Sequence, residues 1–214
     1  MNSPGFKSLI ERAMLELEKS RDELRDLDAA IGDGDLGVTV GDGAAAVREA
    51  LLEIGDDATI SGILRSCAKG FAAANPSTMS ALVAAGLLAA AKTLGDVDEI
   101  GRASAFKMVS VAAATVQSRG GANLGDKTIL DALLPSIEAL SDAKGSDREA
   151  LHEMIDAAKT GVLATTGVQS QRGRAAWVGE RTIGHADGGA TAYVRLLEAL
   201  FVAWEFPASD DFLD

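Results

Sequence analysis

Asp28-Ala-Ala-Ile-Gly-Asp33-Gly-Asp35-Leu-Gly37-Val-Thr39 is the stretch on which the reading of this chain turns. Three carboxylates fall within eight residues, spaced by glycine and small apolar residues, and the stretch contains no lysine or arginine to neutralise them. Like charges this close raise one another's pKa unless a cation is held between them. Magnesium takes oxygen ligands and is commonly bound by a few carboxylates together with substrate phosphates. The stretch therefore predicts a metal–nucleotide loop, and its neighbours must be elements that can present one.

Three other readings of the same letters fail. Counted from Asp33 as an EF-hand, the loop has Asp35 at its third position. It then places Gly37, Val38 and Ala44 where an oxygen ligand, a glycine and a glutamate are required. Gly32-x-Gly34-x-x-Gly37 matches the dinucleotide fingerprint, but Leu24-Arg-Asp-Leu-Asp28 is not a buried strand and two aspartates lie inside the motif. A solvated acidic turn would explain one Asp-Gly-Asp. It does not explain the other polar breaks of the chain.

Outward from the loop, apolar residues recur at helical spacing almost everywhere. Ser3-Pro4 reads as a cap and first helical residue, with Phe6, Leu9, Ile10, Ala13, Met14 and Leu17 on one face. Ser20-x-x-Glu23 reads as a capping box for a short helix that delivers Asp28. Val40, Ala44, Val47, Leu51 and Ile54 carry the next helix to a left-handed stop at Gly55, and Thr59 caps another through Ile60, Leu64, Cys67 and Phe71. After the break at Asn75-Pro76-Ser77-Thr78, helices are expected from about Thr78 to Gly95, Ile100 to Gln117, Leu130 to Leu140 with a kink at Pro135, Asp147 to Thr165, and Ala190 to Trp204 before Pro207.

The expected fold is all-α, one domain over 1–214, built of antiparallel helices in a bundle or closed ring. The polar, glycine-rich breaks fall at 28–39, 75–78, 119–128 and 167–189, alternating with plainer turns. In an up-and-down arrangement alternate connections share an end, so one end reads as a binding face.

At 214 residues and 47% hydrophobic the chain can fill one core, and its 20 basic against 32 acidic residues give a net charge of -12. That balance excludes nucleic acid and an anionic membrane surface as partners. Cys67 is the only cysteine and reads as a core residue, while His152 and His185 have no metal-ligand spacing. No run reaches the roughly 20 apolar residues of a membrane span and the start lacks signal-peptide order, so a cytoplasmic protein is expected. No apolar stripe demands self-association, which leaves a homodimer open.

Two later segments add to the site. Gly120-x-x-x-x-Gly125-Asp-Lys127-Thr128 approaches the P-loop pattern, but Asp126 is inserted and no strand precedes it. What remains is either a helix beginning near Asp126 with its N–H groups free for a ligand, or a plain cap. Gly173-Arg174-Ala-Ala-Trp177-Val-Gly-Glu180-Arg181-Thr-Ile-Gly-His185-Ala-Asp187-Gly188-Gly189 joins arginines suited to phosphate with an exposed-looking tryptophan. His185 reads as structural rather than as a catalytic base.

Together, Asp28–Asp35, Gly125-Asp-Lys-Thr-Ile-Leu-Asp-Ala-Leu133 and Gly173–Thr191 resemble the L subunit of dihydroxyacetone kinase, the nucleotide-binding subunit of that family. The three motifs stand in the family's order and spacing over essentially the whole chain. The resemblance implies a closed barrel of about eight antiparallel helices with Mg–ADP or Mg–ATP bound in loops at one end. It implies two Mg²⁺ ions on Asp28, Asp33 and Asp35. Leu36, Gly37, Val38 and Thr39 would approach the phosphates, joined by Ser77 and Thr78. Gly120 or Gly121 and Ile129 would line the adenine pocket, and Arg174, Asp187 and Gly188 would close over the nucleotide.

The same resemblance implies a kinase subunit that transfers phosphate to dihydroxyacetone or a related small ketose held by a separate K-type subunit. The donor is either exchanging ATP or bound ADP recharged by a phosphotransferase-system phosphocarrier. The family commonly has histidine after Gly-Asp-Gly-Asp where this chain has Leu36, and the segment Asn75–Ser80 also departs from it. Those departures are what a non-catalytic nucleotide-binding regulatory or scaffold module of the same fold would show.

Overall fold

A computed structural model describes residues 1–205. Its elements are α1 (Ser3–Glu18), α2 (Arg21–Ala29), α3 (Leu36–Leu52), α4 (Ile60–Ala74), α5 (Thr78–Leu94), α6 (Arg102–Gly120), α7 (Leu130–Asp142), α8 (Asp147–Thr166) and α9 (Gly188–Glu205), with a 3-10 segment at Arg174–Thr182. Among the described residues the only β pairing is an isolated bridge between Asn2 and Glu99. Each helix from α3 to α9 packs on its sequence neighbours, α1 packs on both α3 and α9, and α2 lies against α3 and α9. The eight helices other than α2 thus close into a ring, as the resemblance implied.

The apolar spacing that predicted these helices is the buried face of each. On α3, Val40, Ala44, Val47 and Leu51 are all inside, and Ile60, Leu64, Cys67 and Phe71 line α4 in the same way. Burial pushes the Cys67 thiol up to about 12, consistent with an inert core residue. The interior is not the single core the composition suggested. One cluster is built mainly from α1 and α3–α5, the other mainly from α6–α8, and Leu196 and Leu200 of α9 pack against both. Close approach between helices uses missing side chains: a Cβ on Gly43 would lie 2.4 Å from the Phe71 ring, and one on Gly70 2.7 Å from the Ala46 carbonyl oxygen. α3 and α4 can touch this closely only because neither residue carries a side chain.

Several local expectations are corrected. The cap of α1 is Asn2, whose side chain accepts from Gly5 N–H, and Pro4 stands one residue further in than expected. Ser20 makes no side-chain cap; its ψ of 0° is not the extended value a cap requires, and Glu23 turns instead to Arg195 at 2.6 and 2.7 Å. Gly55 is not left-handed, and α3 ends in right-handed backbone at Glu53. No helix begins near Asp126: α7 starts at Leu130, after a turn in which Lys127 has φ 62°. Thr59 caps α4 as read, accepting from Gly62 N–H at 3.1 Å, and α7 continues through Pro135 as one helix. Pro207 lies outside the described residues.

The alternation of connections holds. At the plain end Ser3 N–H donates to Asp98 O at 2.8 Å, Ile60 N–H to Val97 O at 3.0 Å and Lys7 Nζ to Ile54 O at 2.9 Å. The loops 30–35, 75–77, 121–129 and 167–187 are joined at the other end. There α3, α5, α7 and α9 all begin, so the positive ends of four helix dipoles gather on one face.

Candidate functional site

α2 brings Asp28 to its last turn, and the tight turn after it returns the chain into α3 at Leu36. The turn is held by the Asp28 carbonyl, which accepts from Ile31 and Gly32 N–H at 3.1 and 2.6 Å. One carboxylate oxygen each from Asp28, Asp33 and Asp35 lies within 4.8 Å of the others, with Asp28 and Asp35 half-buried and Asp33 exposed. That donor set, all hard oxygen and open on one side, fits a divalent cation that keeps water or phosphate as its remaining ligands. Asp28 Oδ2 also accepts from Leu36 N–H at 3.4 Å, which ties the cluster to the start of α3.

The stretch 28–39 itself carries no neutralising cation. The fold supplies one from far along the chain, because Arg174 Nη1 donates to Asp35 Oδ2 at 2.6 Å and also to Asp33. The two carboxylates in turn raise the pKa of the guanidinium, Asp35 most strongly. The residue expected to close over a nucleotide therefore sits directly on the acidic cluster.

Other expected residues gather at the same end. Thr39 is buried in the first turn of α3 and accepts from Asn75 Nδ2 at 3.3 Å, which joins the Asn-Pro break to the aspartate loop. Ser77 caps α5 by accepting from Ser80 N–H at 3.1 Å, and Thr78 begins that helix. Gly120 ends α6 and Gly121, with φ 63°, is its left-handed stop. Ile129 precedes α7 and meets Gly189, while Gly188 packs against Leu36, whose side chain is buried. Gly37 has a packing role the motif reading missed: a Cβ there would lie 2.1 Å from the Arg21 carbonyl oxygen. Val38 is half-buried beside it. Thr39 N–H already donates to Asp35 O at 2.9 Å, and the N–H groups left at the start of the helix are those of Gly37 and Val38, an arrangement suited to anions.

Residues 30–201, from the end of α2 through most of α9, match the family model described as the DAK2 domain. The chain belongs to the DAK2 domain family. Its sequence is 34% identical over 209 residues to a Listeria innocua protein named "PEP-dependent dihydroxyacetone kinase 2, ADP-binding subunit DhaL", covering 94% of each chain. It is 31% identical to the "PEP-dependent dihydroxyacetone kinase, ADP-binding subunit DhaL" of Escherichia coli, over 84% of this chain and 87% of that one. A Mycolicibacterium smegmatis "D-erythrulose kinase" is 35% identical over 84% of this chain but only 32% of its own length. In fold it resembles the crystal structure of the dihydroxyacetone kinase from C. freundii in complex with AMP-PNP and Mg²⁺, with a TM-score of 0.74 at 22% identity, over 92% of this chain and 33% of that one.

In this DAK2 chain two charged residues carry more than their sequence signal suggested. Lys127 is 1% exposed, and its Nζ donates to the carbonyls of Thr166, Val168 and Thr182 at 3.3, 2.9 and 2.6 Å. Burial lowers its pKa and nearby Asp187 opposes the shift. Asp131, also buried, accepts from Gly125 N–H and Thr128 N–H at 2.5 and 2.7 Å and so shapes the turn that Lys127 occupies. Asp126, read as a possible cap, accepts from Asn123 N–H and Arg172 at 2.9 and 3.2 Å instead. His185 and Trp177 are both exposed.

Asp187 precedes α9 and accepts from Ala190 N–H at 2.7 Å. Burial pushes its carboxyl from 3.8 up to about 6, with Asp131 adding to the shift and the Ala190 hydrogen bond and Lys127 opposing it. The folded state therefore binds this proton more tightly than the unfolded chain does. The resulting contribution favours folding below pH 4, is lost as pH rises towards 6, and is flat above. Asp187→Asn keeps a good helix cap and cannot titrate. Urea denaturation from pH 4 to 7 should show wild type losing up to about 3 kcal/mol relative to the variant across that window. A constant difference would mean that the carboxyl ionises at its ordinary pH.

Proposed function

We propose that this chain is the Mg–ADP or Mg–ATP binding subunit of a dihydroxyacetone-type kinase. The observation that carries the reading is the meeting of Asp28, Asp33 and Asp35 with Arg174 on the face where four helices begin. The three aspartates would hold two Mg²⁺ ions, which when bound supply charge neutralisation to the phosphates. The N–H groups of Gly37 and Val38, with Leu36 and Thr39 on either side, and the Ser77–Thr78 start of α5 would receive phosphate oxygens. Gly120, Gly121 and Ile129 border a wall for the adenine, and Asp187 and Gly188 complete the rim with Arg174.

Phosphate transfer would go to dihydroxyacetone or a related small ketose on a separate K-type subunit, with ATP or a phosphotransferase-system phosphocarrier as the ultimate donor. Exposed Leu124, Val168, Trp177 and Ile183, in the two loops beside the cluster, give that subunit an apolar surface to meet. Among the described residues no helix is long and apolar enough to cross a membrane.

The test is to purify the protein without added nucleotide, denature it with and without a prior chelator wash, and identify what is released by mass spectrometry. Stoichiometric ADP lost after chelation supports the metal-bridged site and the bound-coenzyme route. An empty protein that takes up Mg–ATP supports the exchanging-ATP route. A protein that binds neither nucleotide overturns the reading.

A further inference from the structure

We propose that Lys127 is a positioning residue that sets Arg174 over the acidic cluster by holding both feet of the arch 168–182. The inference rests on the nucleotide reading above. Arg174 belongs to a segment that leaves α8 and returns to α9 with little helical structure beyond its 3-10 turns, which break at Gly179. Val168 and Thr182 stand at the two feet of that segment, and one ammonium group accepts the task of joining them. An ammonium has three N–H donors. Here it meets three carbonyls, Thr166, Val168 and Thr182, so all its donors are used and both feet are pinned to one atom.

The remaining bonds follow the same plan. Ser170 N–H donates to the buried Thr182 hydroxyl at 2.9 Å, that hydroxyl donates to Gly179 O at 2.8 Å, and Gln171 N–H donates to Asp126 O at 2.9 Å. All tie the arch to itself or to the turn that contains Lys127. Its crown, with Arg174 and Trp177, stays exposed. The backbone of Lys127 points to the same role, because φ 62° is a conformation a residue with a side chain seldom adopts and where glycine or asparagine would be the easy choice. A lysine persists in such a position when its side chain is needed there. Lys127 reaches no member of the acidic cluster directly; the effect on the site passes through Arg174.

The experiment is a double-mutant cycle on Mg–ADP affinity, measured by calorimetry, together with hydrogen exchange of the unliganded protein. Lys127→Met should raise exchange in 168–184 while leaving α1, α3 and α4 protected as in wild type. It should weaken Mg–ADP binding about 10- to 100-fold, the usual effect of removing a residue that orients a ligand. Arg174→Gln should weaken binding similarly, and the double variant should be no weaker than Arg174→Gln alone. A purely structural lysine would give losses that multiply.

Lys127→Gln, which keeps two donors, should fall between wild type and Lys127→Met. Unchanged affinity, multiplying losses, or loss of the fold in both lysine variants overturns the proposal while wild type still binds. Wild type that fails to bind Mg–ADP overturns the nucleotide reading itself, and the positioning role with it.

Discussion

Replacing Asp35 with asparagine should weaken Mg²⁺-dependent ADP binding by about a hundredfold or more, about 3 kcal/mol, and leave the folded protein essentially as stable as before. The two halves of this expectation have different causes. Affinity falls because a divalent ion loses one of three converging carboxylate oxygens, and a neutral amide oxygen cannot replace its charge. Stability holds because the Arg174 pairs of Asp33 and Asp35 are about half exposed, and exposed ion pairs contribute roughly 0–1 kcal/mol. Asp33→Asn should behave alike. Calorimetric titration with Mg–ADP beside a thermal melt checks both, and an Asp35→Asn protein that binds Mg–ADP as tightly as wild type would remove the aspartates from the metal assignment.

The opposite pattern is expected at Gly161, where alanine should cost about 3 kcal/mol of stability and roughly 10 °C in melting temperature. A Cβ at Gly161 would lie 1.8 Å from the Asp131 carbonyl oxygen and 2.8 Å from its carbon, so α7 and α8 would have to separate. The approach has a cause in the sequence, since Pro135 has no N–H and withholds the helical hydrogen bond that the Asp131 carbonyl would otherwise accept. That oxygen is turned against the one helix surface bare enough to receive it. Nucleotide affinity should fall too, because the Asp131 carboxylate orders Gly125 and Thr128 beside Lys127. Urea unfolding of Gly161→Ala within about 0.5 kcal/mol of wild type would mean the two helices can shift apart at little cost.

Helix positions and the acidic loop were legible because both are local: apolar spacing selects the buried face, and Asp28, Asp33 and Asp35 are neighbours in sequence. The direct pairing of Arg174 with that loop was not legible in the residues themselves, since Arg174 lies 139 residues from Asp35; only the family resemblance set both at one nucleotide site. The role of Lys127 was hidden for the same reason. Its surroundings resemble a P-loop, while its role depends on carbonyls 39 to 55 residues away.

The capping boxes make the point at small scale. Ser20-x-x-Glu23 and Ser146-x-x-Glu149 share one pattern, yet only Ser146, with ψ 166°, has the backbone that closes a box. Glu23 is drawn to Arg195 of α9, and that bidentate pairing lowers its pKa. Nor could spacing show why Gly37 and Gly161 must be bare, because the reason is another segment's carbonyl.

A ring whose helices mostly meet their sequence neighbours can form nearly all of its seams from nearby stretches of chain; the seam between α1 and α9 alone must bring the two ends together. Arg12 donating to the Ala203 carbonyl and Glu23 pairing with Arg195 cross that closure or lie beside it. The contact between the aspartate loop and Arg174 spans the same gap, from the second helix to the approach to the last. Loop-closure entropy makes such a joint the slow one to form. A chain still open along this seam would have every helix and the three aspartates but not Arg174 set against them, so a ligand that needs both would favour the closed ring and act as its clasp.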